Sequence, residues 1–406
     1  MGSWAVAPGL APDGFASHSG IFLGYKVTLN YRTHIVSSLD EIGQPAWDAL
    51  VAVQDKPNPL LSYAFLHALH ASGSAAPDAG WQPQFLTLFD ETDKLVAALP
   101  LYVKYHSYGE YVFDWAWAEA YERNGLDYYP KLLSAIPFTP VTGPRLMAVD
   151  ATARAALVQV LKKMQKATKV SSMHILYPPE SEAKALEAAG YMLRSGVQFH
   201  WINQDYADFD AFLATLEMKK RKNIRAERRK VAEAGVTLRR VRGAQATPAD
   251  WRLFNRCYRH TYAAHHSTPY LNLDFFERIG ATMPDNILLV IAERDGAPIA
   301  ASLVIHNADT LFGRYWGELE HVPCLHFEAS YYQPLEFCIE QGIKTFEGGA
   351  QGEHKMARGF LPTRTWSAHW LAQPAFADAV AHFLERESGG IEQYIDELND
   401  RNPFKG

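Results

Sequence analysis

The chain has 406 residues, 48% hydrophobic and 21% charged, with a formal net charge of −6. That length exceeds one ordinary core and suits two domains, and the composition is that of a globular protein. The acidic balance argues against a general nucleic-acid coat and against DNA as a partner, but it leaves room for a local basic patch.

Residues 1–30, rich in Gly, Ala, Pro and Ser, read as a loose leader without the basic and apolar regions of a secretory signal. "HIVS" from His34 predicts a first strand, and "SSLDEIGQPAWDAL" a helix capped by Ser38 or Asp40. "NPLLSYAFLHALHASG" predicts a second helix, and "FLTLFDETDKLVAALPLYV" a hairpin turning at Asp90–Lys94. An aromatic and acidic stretch, "SYGEYVFDWAWAEAYERNG", follows. "IPFTPVTGPRL", with three prolines and a glycine, predicts a constrained loop. Helix, strand and helix patterns then run through "ATARAALVQVLKKMQKAT", "SMHILYPP" and "SEAKALEAAGYMLR".

A similar plan restarts near Trp201–Ala207. "YADFDAFLATLEMKKRKNIRAERRKVAEAG" predicts one long helix ending at Gly235. The strand "VTLRRV" is followed by a helix opened by Thr247-Pro248, and "NLDFFERIGATM" reads as another helix. "NILLVIAERDGAPIAASLVIHNADTLFGRYWG" alternates strands with turns at Asp295-Gly296 and Asn307–Asp309. "FEASYYQPLEFCIEQG" predicts a helix kinked or begun late at Pro334. Two α+β domains are therefore expected, 31–200 and 201–406. Three cysteines with no CxxC fit a reduced, cytoplasmic setting. No apolar run reaches spanning length, because Ile287–Ile305 is broken by Glu293, Arg294 and Asp295.

"KKRKNIRAERRKVAEAG", "RDGAPIAASLVI", "DTLFGRYWG", "HFEASYYQPLEFCIEQGIKTFEGGAQGEHKMARGF" and "SAHW" carry a family likeness, as do "SYGEYVFDWAWAEAYERNGLDYYPKLL" and "PFTPVTGPRL". Over about residues 31 to 406 the chain resembles the FemAB-like N-acyltransferases, the group labelled peptidoglycan biosynthesis or recognition proteins. The resemblance implies α+β architecture with two tandem GNAT-like domains, mixed central sheets flanked by helices, and acyl transfer to an amine. It leaves donor and acceptor open. Some relatives use aminoacyl-tRNA and a cell-wall peptide, and others use fatty acyl groups and lipid amines. No tightly bound cofactor is expected, with acyl-CoA or another activated acyl donor as co-substrate. tRNA and peripheral contact with the inner membrane remain admissible, and a binding module without activity is the third reading.

Acyl transfer needs an unprotonated amine, a stabilised oxyanion and aligned substrates. No Gly-x-Ser-x-Gly elbow is present, so direct attack on the donor is the simpler route. In "GGAQGEHKMARGF", Gly349 and Gly352 permit close backbone approach. Lys355 and Arg358 suit an anionic donor, and Glu353 or His354 suits the amine's proton. A solvated surface loop is the plain alternative. Glu328 is a further candidate base. Lys219, Arg221, Lys222 and Arg225 belong to a basic helix face suited to tRNA, CoA phosphates or anionic lipid; a solvated charged face is its rival. On the acceptor side stand Glu110, Asp114 and Trp115, where acids among aromatics suit an ammonium; a structural aromatic cluster with satisfied carboxylates is the rival. Arg314 and Trp316, sharing a strand face, and His326 join them. Neither HExxH nor HxxEH occurs, and no metal is expected at His321–Glu328 or at His260, His265 and His266.

Overall fold

The computed structural model describes residues 31–350 and 352–405, so the expected leader lies outside the described residues. In the first half, β1 (Arg32–Val36), α1 (Gln44–Ala52) and α2 (Tyr63–Ala71) precede β2 (Trp81–Pro83), β3 (Phe85–Phe89), β4 (Leu95–Leu99) and β5 (Tyr102–Lys104). Then come α3 (Trp115–Arg123), β6 (Lys131–Ser134), β7 (Met147–Ala148), α4 (Ala151–Ala167), β8 (Ser172–Leu176) and α5 (Glu180–Ala188). Strand β9 (Met192–Ile202) leads to α6 (Phe209–Thr215), α7 (Met218–Glu233), β10 (Val236–Arg242), α8 (Pro248–Ala264) and α9 (Leu273–Thr282). The chain continues through β11 (Ile287–Arg294), β12 (Ala297–His306), β13 (Thr310–Glu318), α10 (Leu325–Phe327) and α11 (Gln333–Gln341). It ends with β14 (Thr345–Glu347), β15 (Leu361–Leu371) and α12 (Pro374–Asn399).

Local chemistry sets several of these boundaries. Asp90 Oδ1 accepts backbone N–H bonds from Thr92 and Lys94 and closes the β3–β4 hairpin. Asp295 and Gly296 both take positive φ, 52° and 75°, which suits the tight β11–β12 turn. At α8, Thr247 and Asp250 cap each other reciprocally and Pro248 occupies the first turn. A π-helical turn, Glu328–Tyr332, joins α10 to α11 just before Pro334, where the helix loses an N–H donor.

The long helix expected over 206–235 is two helices. Leu216 is extended and fully buried, and it bridges to Phe404. The C-terminal tail completes the break. Glu217 N–H donates to Pro403 O at 3.0 Å, and Lys405 N–H donates to Thr215 O at 2.9 Å.

Strands β1, β3, β4 and β7 form a four-stranded sheet in the order β1-β3-β4-β7. The remaining strands form one sheet of eleven, β10-β11-β12-β13-β14-β9-β15-β8-β6-β5-β2, which runs through both halves. β9 crosses residue 200, pairing with β15 over 192–200 and with β14 over 200–202. β15 lies between β9 and β8, so a late segment completes the first half's sheet. The apolar core is likewise shared. Phe65 meets Phe275 edge-on at 5.6 Å, and Phe138 stacks on Tyr270 at 4.8 Å, each pair joining the two halves.

Candidate active site

The site begins where the sheet loses a rung. β13 and β14 run parallel but pair only from Thr310–Thr345 to Phe312–Glu347. Beyond that point Gly348 N–H donates to Phe199 O of β9, at 3.2 Å. The chain therefore follows β9, and residues 313–318 of β13 have no strand partner on that side among the described residues. Gly313 allows this divergence, since a Cβ there would sit 3.1 Å from the Phe346 ring.

Opposite the opening, β13 carries a bulge. Leu303 pairs with Tyr315 and Val304 with Gly313, which leaves Arg314 as the extra residue. The bulge breaks the alternation that would put Arg314 and Trp316 on one wall. Arg314 lies 4.8 Å from the Tyr315 ring and donates to Phe138 O at 2.7 Å and to Thr139 Oγ1 at 3.2 Å. It thus ties β13 to the proline-rich loop of the first half. Trp316 instead meets His326, at 5.4 Å between rings.

Two polar clusters flank the opening. On the helix side, His326 faces Tyr331 at 5.5 Å, and Tyr331 OH lies 3.4 Å from His354 Nε2. Arg358 donates to His354 O at 2.7 Å, lies 3.4 Å from the Phe327 ring centre, and grips both oxygens of Glu227 at 3.0 and 2.9 Å. Lys355 is buried, and its ammonium donates to Gly349 O at 3.1 Å. Burial brings that amine down to about 8. Burial, helped by the positive charges of His354, Arg358 and Lys355, holds His326 near 4. Lys355, Arg358, His354, His326 and Trp316, expected on separate grounds, are therefore brought together.

On the other side, facing the first half, Glu347 stands directly across from His200 in the β14–β9 pairing. Glu347 is buried, and its Oε2 has no hydrogen-bond partner. Burial raises its carboxyl to about 8 against the pull of Lys56, Arg314 and Arg145. His200 is held near 4 by burial and by Lys355 and Lys56, and it lies 3.4 Å from Gln198 Oε1. Gln198 in turn donates to Pro140 O at 2.7 Å. The sequence reading passed over Glu347. The available signal was an acid ending an apolar strand and standing immediately before Gly348-Gly349, on the face opposite Phe346.

Other expected residues have different surroundings. Glu353 is exposed, accepting from Tyr394 OH at 2.8 Å and Arg401 Nη1 at 2.9 Å, and so ties down α12. Glu328 is buried, but Arg228 holds both its oxygens at 3.0 Å and Gln333 adds a third bond at 2.8 Å. Gly352 takes φ 120° at the start of the 353–358 turn. On α7, Lys219, Lys222 and Arg225 are exposed, with Arg225 paired to Asp210 at 2.8 Å; Arg221 is half-buried and reaches Ala214 O. The opposite face of α7 reaches the site through Glu227 and Arg228.

Glu110 and Asp114 do not meet this opening. Both hold Lys131, which is fully buried, with Lys131 Nζ 2.8 Å from Glu110 Oε2. Tyr128 OH donates to Asp114 at 2.7 Å and lies 3.0 Å from His174, whose Nδ1 is 2.8 Å from Nδ1 of His369. Trp115 is partly exposed against Tyr108. Among the described residues no group of three or more His, Cys, Asp or Glu is arranged to hold a metal ion.

Two α+β units sharing a sheet that opens between parallel strands define a tandem GNAT-like fold. The chain belongs to the FemAB-like family, described as peptidoglycan biosynthesis/recognition, whose model matches residues 38–406. Among solved structures it is similar to FemX, at 13% identity and TM-score 0.53, covering 82% of this chain and 98% of that one. It is also similar to L-PGS from Bacillus licheniformis, at 8% identity and TM-score 0.51, covering 85% and 96%. A third is the C-terminal domain assigned to a lysylphosphatidylglycerol synthetase of Agrobacterium fabrum, at 13% identity and TM-score 0.50, covering 86% and 97%. Identities this low establish the fold alone. No curated protein matches the sequence.

Proposed function

We propose that the protein is an N-acyltransferase that moves an activated acyl group, carried as a thioester, onto an amine such as a lipid or small-molecule amine by direct attack. The observation that carries this reading is the open edge of β13 at residues 313–318, lying beside the Gly348-Gly349 turn and the buried Lys355. An unpaired strand edge offers N–H and C=O groups to an extended, amide-bearing donor arm. At the far end of β13 the chain enters α10, and Lys230 and Arg358 both bear on Cys324, immediately before that helix. An anionic donor group fits there, because the two cations outnumber the Glu227 carboxylate that also bears on Cys324. Lys355, whose ammonium lies against the glycine turn, is placed to steady the oxyanion. The acceptor enters from the seam between the halves, past Arg314 and the 138–140 loop.

A second reading has a specific observation behind it. Lys219, Lys222 and Lys230 lie exposed along α7, where a polyanion such as aminoacyl-tRNA would find a cationic face; the acceptor would then be a cell-wall precursor peptide. Either donor is compatible with a cytoplasmic protein touching the inner membrane, and among the described residues no helix is long and apolar enough to cross one. The deciding experiment supplies purified protein with acyl thioesters or aminoacyl-tRNA and a set of primary amines, with and without RNase, and follows amide formation by mass spectrometry. Amide formed from the thioester and surviving RNase is expected. Product from neither donor would overturn the transferase reading, and product only from intact tRNA would move the donor to the second.

A further inference from the structure

We infer that Glu347 is the group that accepts the attacking amine's proton, a role that rests on the acyl-transfer reading above. Its place in the fold supplies the argument. β14 ends at Glu347, the last residue paired to β13 before the sheet opens. Phe346 points the other way, into the apolar core with Phe360, so alternation turns Glu347 toward the seam where the acceptor enters.

A buried carboxylate is costly unless it is hydrogen-bonded. Each of the other buried acids has at least one partner. Arg228 and Gln333 bind Glu328, backbone N–H groups of Arg145 and Leu146 bind Glu182, and Lys131 binds one oxygen each of Glu110 and Asp114, whose second oxygens are unpartnered. Glu347 Oε2 accepts no hydrogen bond within the described residues, although Lys56, Arg314 and Arg145 are near enough to act on the carboxylate's charge. An unpaired buried acceptor at the end of an open strand is what an incoming ammonium would complete.

The chemistry then balances. The acceptor arrives as R–NH3+ and gives one proton to Glu347, leaving a neutral amine. Its lone pair attacks the thioester carbonyl carbon, a C–N bond forms and the C–S bond breaks. The second nitrogen proton leaves with the departing thiolate as thiol, and Glu347 returns its proton to solvent. A carboxyl whose affinity for protons is raised by burial is matched to an amine near neutral pH.

The neighbouring acids lack one condition or another. Glu328 is committed to Arg228, and Glu353 stands in solvent against α12. His354 lies at the surface beside Lys355 and Arg358, and partial desolvation of its ring, then their positive charges, push its proton affinity down.

The test compares wild type, Glu347→Gln and Glu347→Asp as full-length proteins, with a thioester donor and two acceptors. One is an alkyl amine, largely protonated at neutral pH; the other is hydroxylamine, largely unprotonated there. For the alkyl amine, Glu347→Gln is expected to lose about 100-fold or more in kcat, with Glu347→Asp retaining part of it. The donor's Kd should be unchanged, the acidic limb of the pH–rate profile should vanish, and hydroxylamine should restore most of the rate. An active wild type with a Glu347→Gln variant that keeps its rate and pH profile would overturn this inference alone. Equal losses with both acceptors would also overturn it, by assigning Glu347 a structural role. A wild type inactive with every donor and amine would remove the acyl-transfer reading and this one together.

Discussion

Arg358 and Glu328 are both buried, charged and paired, yet they should answer differently to substitution. Arg358 keeps an unpartnered Nε and bears on Cys324 at the start of α10, so it has capacity left for a ligand. Arg358→Met removes that charge and frees Glu227, which retains the Tyr332 hydroxyl. It should raise the donor KM by about 10-fold or more, in keeping with the loss of one charge-assisted contact. Initial rates at varied donor concentration would measure this, and an unchanged KM would remove Arg358 from the donor site. Glu328 has no capacity left, because Arg228 and Gln333 occupy it. Glu328→Gln should therefore cost about 1–3 kcal/mol of stability, seen in a denaturant titration, with kcat close to wild type. A large fall in kcat without loss of stability would return Glu328 to the chemistry.

Among the elements, β13 is pinned on one side and open on the other. Its pinned side depends on Gly317, where a Cβ would lie 2.0 Å from Cys257 O in the backbone of α8. Gly317→Ala must push α8 off the strand and should cost about 2–3 kcal/mol, with the Arg314 end of the seam displaced; an unaltered denaturation midpoint would count against that packing. The sequence made much of this level legible. "RDGAP" specified its hairpin through two residues suited to positive φ, and "TPAD" specified the start of α8 through a cap that needs only four neighbours. The break in the helix at Leu216 could not be read so, because Phe404 and the tail that pairs there stand almost the whole second half away in sequence. The bulge at Arg314 was hidden for a similar reason, since it is a matter of register against β12 and not of composition. The glycine-rich motif led to Lys355 and Arg358 because flexible backbone followed by cations is a local pattern. Glu347 was missed because its significance comes from β9, β13 and the first half together. Acids among aromatics in 110–122 suited either a ligand or a structural cluster, and two of them, Glu110 and Asp114, hold Lys131, brought to them by β6.

For the molecule as a whole, histidines held away from water, three of them (His174, His200 and His369) buried on strands of the sheet that both halves share, set a pH dependence. Burial is the largest cause in each case. His70, His106, His200 and His326 are held near 4 and His174 near 3, with His369 also far below its ordinary value. In an unfolded chain these rings protonate at about 6.5. Between those values the unfolded chain binds more protons than the native one, so stability rises with pH across the window and is lost as pH falls through it. Each buried ring contributes up to about 1.4 kcal/mol per pH unit in this direction. Three carboxyls oppose it. Glu110, raised to about 7, Glu347, raised to about 8, and Glu182, also raised, hold protons that the unfolded chain releases near 4.5. They favour the native state as pH falls, but the six histidines outnumber them. The sharpest point lies where β15 crosses to β8. His174 and His369 stand directly opposite in that pairing, and their Nδ1 atoms share one proton over 2.8 Å. A second proton there would turn two N–H groups against each other and set a charge inside the sheet, beside Lys131. The midpoint of thermal unfolding should therefore fall steeply between about pH 6.5 and about pH 4.5. His369→Gln should shallow that slope even if it lowers the midpoint at neutral pH. A wild-type midpoint level across the window would mean that the seam admits water to these rings, and the shared core would then be looser than its contacts imply.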